Sequence, residues 1–141
     1  MKKIILMATF VFTGICVSAC AKEGPIDYGR LPAKAQEFIS QNFSSWEVMG
    51  VMLEGREYDV FFNNGNKIEF DRKGNWQEID CEKGSSVPLA VLPDDIVSFL
   101  NGNYAERRVT DVSKDRNGYE ITLDNGVELK FDSKNRFLGF D

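Results

Sequence analysis

The sequence contains no histidine, and this absence removes several classes of chemistry. Ser-His-Asp and Cys-His catalysis, His-ligated zinc and histidine-based pH switches all need an imidazole, so none of them can operate here. Cysteine is almost as scarce, with three residues in a chain of 141. Cys16 and Cys20 fall in an N-terminal apolar segment, which leaves Cys81 alone in the rest of the chain. No internal disulfide can therefore form in the folded part.

Cys81 stands between two acidic residues, Asp80 and Glu82. A reactive thiolate needs a basic neighbourhood, and this neighbourhood is acidic. We therefore expect Cys81 to be a small buried apolar residue rather than a nucleophile.

Basic residues are outnumbered, with 17 Lys and Arg against 22 Asp and Glu. If an N-terminal signal carrying Lys2 and Lys3 is removed, 15 basic residues remain and the net charge is about −7. Such a charge disfavours nucleic acid and anionic lipid surfaces as partners. The remaining chain of about 120 residues is long enough for one hydrophobic core, and we expect a monomer.

The first 20 residues have the pattern of an export signal. Lys2 and Lys3 precede the apolar run Ile4–Val17, which is shorter than the roughly 20 residues of a membrane span. The end of the segment fits two processing routes. Val17-Ser18-Ala19-Cys20 resembles a bacterial lipobox, in which Cys20 becomes a lipid anchor, and Ala19-Cys20-Ala21 fits ordinary signal peptidase. We favour the lipobox, so a membrane contact is expected only through Cys20, and several acyl chains would be needed to hold it firmly.

Residues 31–80 and 92–141 carry the same pattern when the sequence is shifted by 61 positions. No gap is needed, and 13 of the 50 aligned positions are identical, where average composition gives about 3. The identical pairs include Leu31-Pro32/Leu92-Pro93, Phe38/Phe99, Tyr58/Tyr119, Asn64-Gly65/Asn125-Gly126 and Phe70-Asp71/Phe131-Asp132. A duplicated unit sets the architecture and is therefore interpreted before any local motif.

Each copy is predicted to contain one helix followed by antiparallel strands. Pro32 and Pro93 suit the first helical position, where a missing N–H costs nothing. Apolar residues then recur at helical spacing, namely Ala35, Phe38, Ile39 and Phe43, and again Ile96, Phe99, Leu100 and Tyr104. A strand-like run follows in each copy (48–53 and 109–112), then an alternating hairpin, and Trp76 or Phe137 opens a last strand.

The hairpin register follows from the alternation, because directly opposed residues share a face of the sheet. A three-residue loop, Asn63-Asn64-Gly65, places Val60 opposite Ile68 and puts Gly65 in the left-handed region. The second copy gives the same result, with Ile121 opposite Leu129. The two copies therefore predict one register.

This register places a candidate partner-binding group, Asp59, Phe61, Lys67 and Glu69, on the outer face of the first hairpin. Asp59 lies opposite Glu69, a like-charge pair that destabilises mildly, whereas the second copy has the ion pair Glu120/Lys130. Lys67 could relieve the repulsion, or the pair could bind a cation or a basic group of a partner. Phe61 could be an exposed contact residue or could be covered by another strand. As a remote alternative, Asp59 and Glu69 could be the paired carboxylates of a hydrolase.

A second candidate site is the turn after the hairpin, where Asp71, Asn75 and Glu78 could offer oxygen ligands to Ca²⁺. The turn lacks the dense Asp/Asn spacing of an established calcium loop, and a plain turn around Gly74 is the simpler interpretation. No other cofactor is indicated.

These residues together resemble the PepSY-like, β-lactamase-inhibitor-like exported proteins of Bacteroides-type bacteria. The motifs that carry the resemblance are Leu31-Pro32, Phe38-Ile39, Tyr58-Asp59-Val60, Asn64-Gly65, Lys67–Asp71 and Gly74-x-Trp76. The resemblance implies an α+β fold, a tandem repeat of a helix plus a four-stranded antiparallel unit, with the helices packed on one face of a continuous sheet. The second copy departs from the pattern at Asn135 and Phe137, which could make the copies functionally unequal.

The expected organisation is a signal peptide (1–20), a tether (21–30), a first repeat (31–80), a linker (81–91) and a second repeat (92–141). Within the linker, Val87–Val91 is expected to be an extended apolar lead into the second helix. Related PepSY domains are associated with binding or inhibiting peptidases, and some relatives are described as calcium-regulated periplasmic proteins. We therefore expect a non-enzymatic exported module, periplasmic or lipid-anchored, that binds a protein or peptide. A calcium-responsive binding protein is the alternative.

Overall fold

The structure is a computed structural model that describes residues 23–140. The expected signal peptide and the Cys20 site lie outside the described residues. Two helices and nine strands are found in the described part of the chain. Their bounds are β1 Gly24–Ile26, α1 Ala33–Asn42, β2 Val48–Glu54, β3 Glu57–Phe62, β4 Lys67–Asp71, β5 Trp76–Asp80, α2 Asp94–Asn103, β6 Val109–Asp115, β7 Gly118–Leu123, β8 Glu128–Asp132 and β9 Phe137–Phe140.

All nine strands form one antiparallel sheet in which each strand pairs with its neighbour in sequence, from β1 to β9. One apolar row crosses the whole sheet through directly opposed residues: Ile26, Val51, Val60, Ile68, Ile79, Val112, Ile121, Leu129 and Phe140. Its members from Val60 to Leu129 are completely buried. The expected continuous antiparallel sheet is confirmed.

Both helices cover the face of the sheet that carries this apolar row. Ring contacts show the arrangement, since Phe38 of α1 lies edge-on to Phe70 at 5.9 Å and Phe99 of α2 lies edge-on to Phe131 at 5.4 Å. The buried helix residues, Ala35, Ile39, Ile96 and Leu100, are those that helical spacing predicts. The fold is therefore α+β, with two helices on one face and the other face of the sheet uncovered by either helix.

The two prolines lie one position earlier than expected. Pro32 and Pro93 are the N-caps of α1 and α2 rather than their first helical residues, because their ψ angles of 139° and 147° are extended. The carbonyl of Pro32 accepts the first helical hydrogen bonds, from the amides of Ala35 and Gln36. The N-cap amide has no partner within the helix, so a proline is tolerated there for the same physical reason.

The hairpin register is confirmed in both copies. Val60 opposes Ile68, and Ile121 opposes Leu129. The amide of Phe62 donates to the carbonyl of Asn66 (3.0 Å), which closes a three-residue loop around Gly65 at φ 85°. Every helix and strand from α1 to β4 has its counterpart with bounds 61 residues later.

The segments that precede each helix differ from expectation. Part of the expected tether is strand β1, paired with β2, and Tyr28–Arg30 forms a 3-10 turn. Leu89–Val91, expected to be extended, forms the equivalent 3-10 turn, because the amide of Leu92 bonds back to the carbonyl of Leu89.

The expected linker is bonded to β6 at two of its residues, Cys81 and Val87. The amide of Cys81 donates to the carbonyl of Thr110 and the amide of Val87 to that of Val109, each at 2.8 Å. Cys81 is a buried free thiol, as expected, and burial followed by the charges of Asp80 and Asp111 raises its pKa to about 12. No helix in residues 23–140 is long and apolar enough to span a membrane.

Gly118→Ala should strongly destabilise the protein. Gly118 has φ 139°, and a Cβ at this position would lie 2.0 Å from the carbonyl oxygen of Phe131. Because the obstacle is backbone, we expect the free energy of unfolding to fall by about 2–4 kcal/mol in urea titrations. Gly102→Ala in α2 is the matched control, with open space around its Cβ and an expected gain of up to about 1 kcal/mol. Equal effects at the two glycines would contradict this account.

Candidate binding face

The uncovered face of the sheet carries two polar rows. Along most strands their residues come one position before and one position after the residue of the apolar row, which points to the helix side. The first row runs through Asp59, Glu69, Glu78, Ser113, Glu120 and Lys130. The second row runs through Phe61, Lys67, Asp80, Asp111, Thr122 and Glu128. Directly opposed residues in a sheet point to the same face, so each row is a set of neighbours. We call Asp59, Lys67, Glu69, Glu78, Asp80 and Asp111 together the acidic face.

The structure brings the four candidate binding residues together as expected. Asp59 opposes Glu69, and Phe61 opposes Lys67. The Lys67 Nζ lies 3.6 Å from Glu69 Oε2, so the lysine partly offsets the like-charge pair. Phe61 is partly exposed, because its neighbour on β2 is Gly50, which has no side chain to cover it.

Glu78 is a strongly perturbed carboxyl group of the acidic face. Burial is the main cause, followed by a hydrogen bond with Glu69 and by repulsion from Asp111, and together they raise its pKa to about 8. With a pKa above neutral pH, Glu78 carries a proton at pH 7 and shares it with Glu69 through this hydrogen bond. Sequence reasoning had assigned Glu78 to a calcium site and had not connected it with Glu69.

Two further carboxyl groups of the acidic face are disfavoured as anions. Burial, then repulsion from Glu69, raises the pKa of Asp59 to about 6. Burial, then repulsion from Asp80, raises the pKa of Asp111 to about 7. In both groups the charge of Lys67 acts in the opposite direction.

Lys67 is the cation at the centre of the acidic face. Burial alone would lower its pKa, but the surrounding carboxylates, Glu69, Asp59, Glu78 and Asp80, raise it overall. Despite this one lysine, the pKa values of Asp59, Glu78 and Asp111 remain raised. Asp80 and Asp111, which meet across the β5–β6 junction, were not identified from the sequence, because the register between the two repeats is set by the segment 81–91 rather than by a short turn.

The second copy has opposite charges at the positions where the first copy has two carboxyl groups, Asp59 and Glu69. Glu120 opposes Lys130, and the two side chains form an ion pair at 3.7 Å. Between the copies lies a groove of about 500 Å³. Its walls include Glu57, Glu69 and Glu78 from the first copy and Lys114, Glu120 and Leu138 from the second. The concave part of this surface is therefore shared by both halves of the chain.

The residues of the expected calcium site are only partly brought together. Both carboxylate oxygens of Asp71 are engaged within the turn, by the amides of Lys73 and Asn75 (2.9 Å each) and by the side chain of Asn75 (3.0 Å). These bonds hold the pKa of Asp71 below its usual range, against the effect of burial. Glu78 lies on β5 opposite Glu69. Among residues 23–140, no three acidic or cysteine side chains are grouped so that they could hold a metal ion.

Glu78→Gln should stabilise the protein at about pH 8 and change little near pH 5. The pKa of Glu78 is about 8 in the folded state and about 4.3 in an unfolded chain, so the native state binds the additional proton between these values. Stability is then fully present below about pH 4 and is lost as the pH rises towards about 8. Since the side chain is half exposed, we discount the shift for screening and expect a gain of about 1 kcal/mol in urea unfolding.

Glu120→Gln provides the matched control for Glu78→Gln. Glu120 lies in the same row but is already paired with Lys130. Its substitution should give no pH-dependent gain. An equal gain in the two variants at high pH would show that general charge reduction, and not the position of Glu78, causes the effect.

Solved structures from Bacteroides species match most of this chain. A putative calcium-regulated periplasmic protein from Bacteroides thetaiotaomicron is 41% identical, with a TM-score of 0.80 over 84% of this chain and 96% of its own. A putative periplasmic protein of the DUF2874 family from Bacteroides vulgatus is 39% identical, with a TM-score of 0.79 over 84% and 96%. A putative periplasmic protein of unknown function from the same species is 35% identical, with a TM-score of 0.77 over 84% and 99%.

No curated protein matches the chain in sequence. The family model described as putative beta-lactamase-inhibitor-like, PepSY-like, matches residues 56–139, which include both candidate sites, the acidic face and the groove. This match spans more than half of the chain and agrees with the three similar structures in fold. The chain therefore belongs to the PepSY-like family.

Proposed function

We propose that this chain is a non-enzymatic, exported binding module whose acidic face binds a basic region of a protein or peptide, such as a peptidase. The observation that carries the proposal is the excess of half-buried carboxyl groups around Lys67. Asp59, Glu78 and Asp111 all have raised pKa values, so the anion of each is less stable here than it would be in water. Cationic groups of a partner would relieve this cost, and the relief would contribute to affinity.

The shape of the surface supports a macromolecular partner. The acidic face is continuous with the groove between the two copies, because Glu69 and Glu78 belong to both. Phe61 is partly exposed and lies opposite Lys67, at one side of the acidic face. An apolar side chain beside a charged surface is the arrangement that anchors many protein interfaces. By contrast, a catalytic pair needs carboxyl groups enclosed in a cleft, and Asp59 and Glu69 lie on the open face of a sheet.

Export and duplication complete the proposal. The three similar proteins are described as periplasmic, which supports the periplasm as the location of this chain. Lipidation of Cys20 remains our prediction for its N-terminus. The 61-residue offset that relates the helices and strands of the two halves supports the interpretation of residues 31–80 and 92–141 as copies of one module.

Asp59→Lys should abolish partner binding, and Phe61→Ala should weaken it about tenfold. The first change reverses a charge on the acidic face, and the second removes the apolar contact beside it. The protein is used as bait in periplasmic extract, and the captured partner is then titrated by calorimetry. Because binding would favour the ionised forms of Glu78 and Asp111, it should release protons at pH 7, which appears as a dependence of the enthalpy on the buffer.

Glu37→Lys is the matched control for the charge reversal. Glu37 is exposed on α1, on the opposite side of the sheet from the acidic face. The substitution makes the same change in net charge and should leave binding intact. A partner retained equally by Asp59→Lys and Glu37→Lys would show that the acidic face is not the binding surface.

A calcium-responsive binding protein is the second candidate. A protein 41% identical to this chain is described as calcium-regulated, and Asp71, Asn75 and Glu78 are the oxygen donors that we would assign to the ion. Millimolar CaCl₂ should then raise the melting temperature, MgCl₂ should raise it less, and Asp71→Asn should remove the effect. The absence of any shift at millimolar calcium would exclude this candidate without affecting the binding of a basic partner.

A further inference from the structure

The last strand of the sheet exposes apolar side chains that are buried in its counterpart. Phe140 is 66% exposed and Phe137 is 36% exposed, whereas the equivalent Ile79 and Trp76 are 0% and 7% exposed. β9 pairs with β8 on one side, and no strand among residues 23–140 lies on its other side. The described chain therefore ends in an apolar sheet edge.

The pairing of β5 with β6 shows which residues cover an edge of this kind. In the first copy the outer edge of β5 is occupied by β6, with Val112 opposite Ile79 and Ser113 opposite Glu78. Lys114, two residues after Val112, places its Nζ 3.9 Å from the centre of the Trp76 ring. An aliphatic residue and a cation two positions later thus cover the apolar residues of β5.

β9 has the same local geometry as β5. An irregularity in the pairing lies between Glu69 and Phe70 on β4, and the equivalent irregularity lies between Lys130 and Phe131 on β8. It lets Phe137 and Phe140 both lie on the helix side, where their rings meet at 5.5 Å. β9 therefore presents the surface of β5 without the strand that covers it.

We propose that β9 is a docking edge for an extended segment of a partner protein, which adds a tenth antiparallel strand with the pattern aliphatic-x-Lys/Arg. The aliphatic side chain lies opposite Phe140, as Val112 lies opposite Ile79. The basic side chain lies over Phe137 in a cation–π contact, as Lys114 lies over Trp76. Backbone hydrogen bonds to the edge supply the rest of the affinity. This surface is separate from the acidic face and does not depend on its function.

A second copy of this chain fits the edge less well than a partner segment does. The only other open edge of the described sheet is that of β1, which has three residues, and its central Pro25 has no amide hydrogen to donate. β9 itself offers aromatic residues but no cation to a symmetric mate. Neither edge carries an aliphatic residue followed two positions later by a cation.

The test uses a synthetic peptide with the sequence of residues 109–115, VTDVSKD, added to the purified ¹⁵N-labelled protein. We expect saturable chemical-shift changes confined to β8 and β9, and at least tenfold weaker binding of a peptide carrying Val112→Asp and Lys114→Glu. Phe140→Asp should weaken binding at least tenfold, and Phe140→Leu should retain it. Because Phe140 is largely exposed, both variants should keep the wild-type melting temperature, which verifies the fold.

Met49→Asp serves as the control, since Met49 is 74% exposed on β2, far from β9 in the strand order. It should leave peptide binding unchanged. The proposal is overturned if both peptides bind alike, or if Phe140→Asp has no effect on the shifts. Concentration-dependent dimerisation that Phe140→Asp abolishes would also overturn it, because the occupant would then be a second copy of the chain.

Discussion

The apolar row from Ile26 to Phe140 is the constraint on which the rest of the structure depends. It joins all nine strands through directly opposed side chains, and its six central members are completely buried. Because side chains alternate along a strand, a slip of one residue in any pairing would move that strand's apolar residues to the outer face. The row therefore fixes the register of the whole sheet and the side on which the helices pack.

The same constraint creates the acidic face. Once Ile68, Ile79 and Val112 are held inward, their polar neighbours must point outward and lie opposite one another. Glu69 is then brought against Glu78, and Asp80 against Asp111, whatever the electrostatic cost. Cross-strand repulsion of this kind costs a few tenths of a kcal/mol to about 1 kcal/mol for each pair, which is small against the burial of an aliphatic side chain at about 1.5–3 kcal/mol. Packing therefore prevails, and burial together with this repulsion raises the pKa values of Glu78 and Asp111.

The sequence predicts the strand pairings that a short loop closes, and it does not predict those that a longer segment separates. The hairpin pairs Val60/Ile68 and Ile121/Leu129 were predictable, because a short loop limits the register and two copies had to agree. The pairing of β5 with β6 was not, since residues 81–91 separate the strands and impose no register of their own. For this reason the pair Asp80/Asp111 was missed. Glu78 was not connected with Glu69 for a different reason, because an irregularity between Glu69 and Phe70 shifts the β4–β5 pairing. β1 was missed too, because three residues containing Gly and Pro carry no strand signal and pair only because β2 offers an open edge.

Two halves of a chain that have the same order of helix and strands and pair end to end cannot have both of their last strands covered. β5 is covered because β6 pairs with it, whereas no described strand pairs with the outer edge of β9. The apolar row therefore continues past Ile79 of the first copy but ends at the exposed Phe140 of the second. The charges show the reverse asymmetry, since Glu120 and Lys130 balance each other in the second copy while the first concentrates carboxyl groups around Lys67. The excess of carboxyl groups thus lies around Lys67 in the first half, and the exposed apolar strand lies at the end of the second half. Most identical positions of the two halves maintain the fold, and both of our proposals place recognition where the environments of the halves diverge.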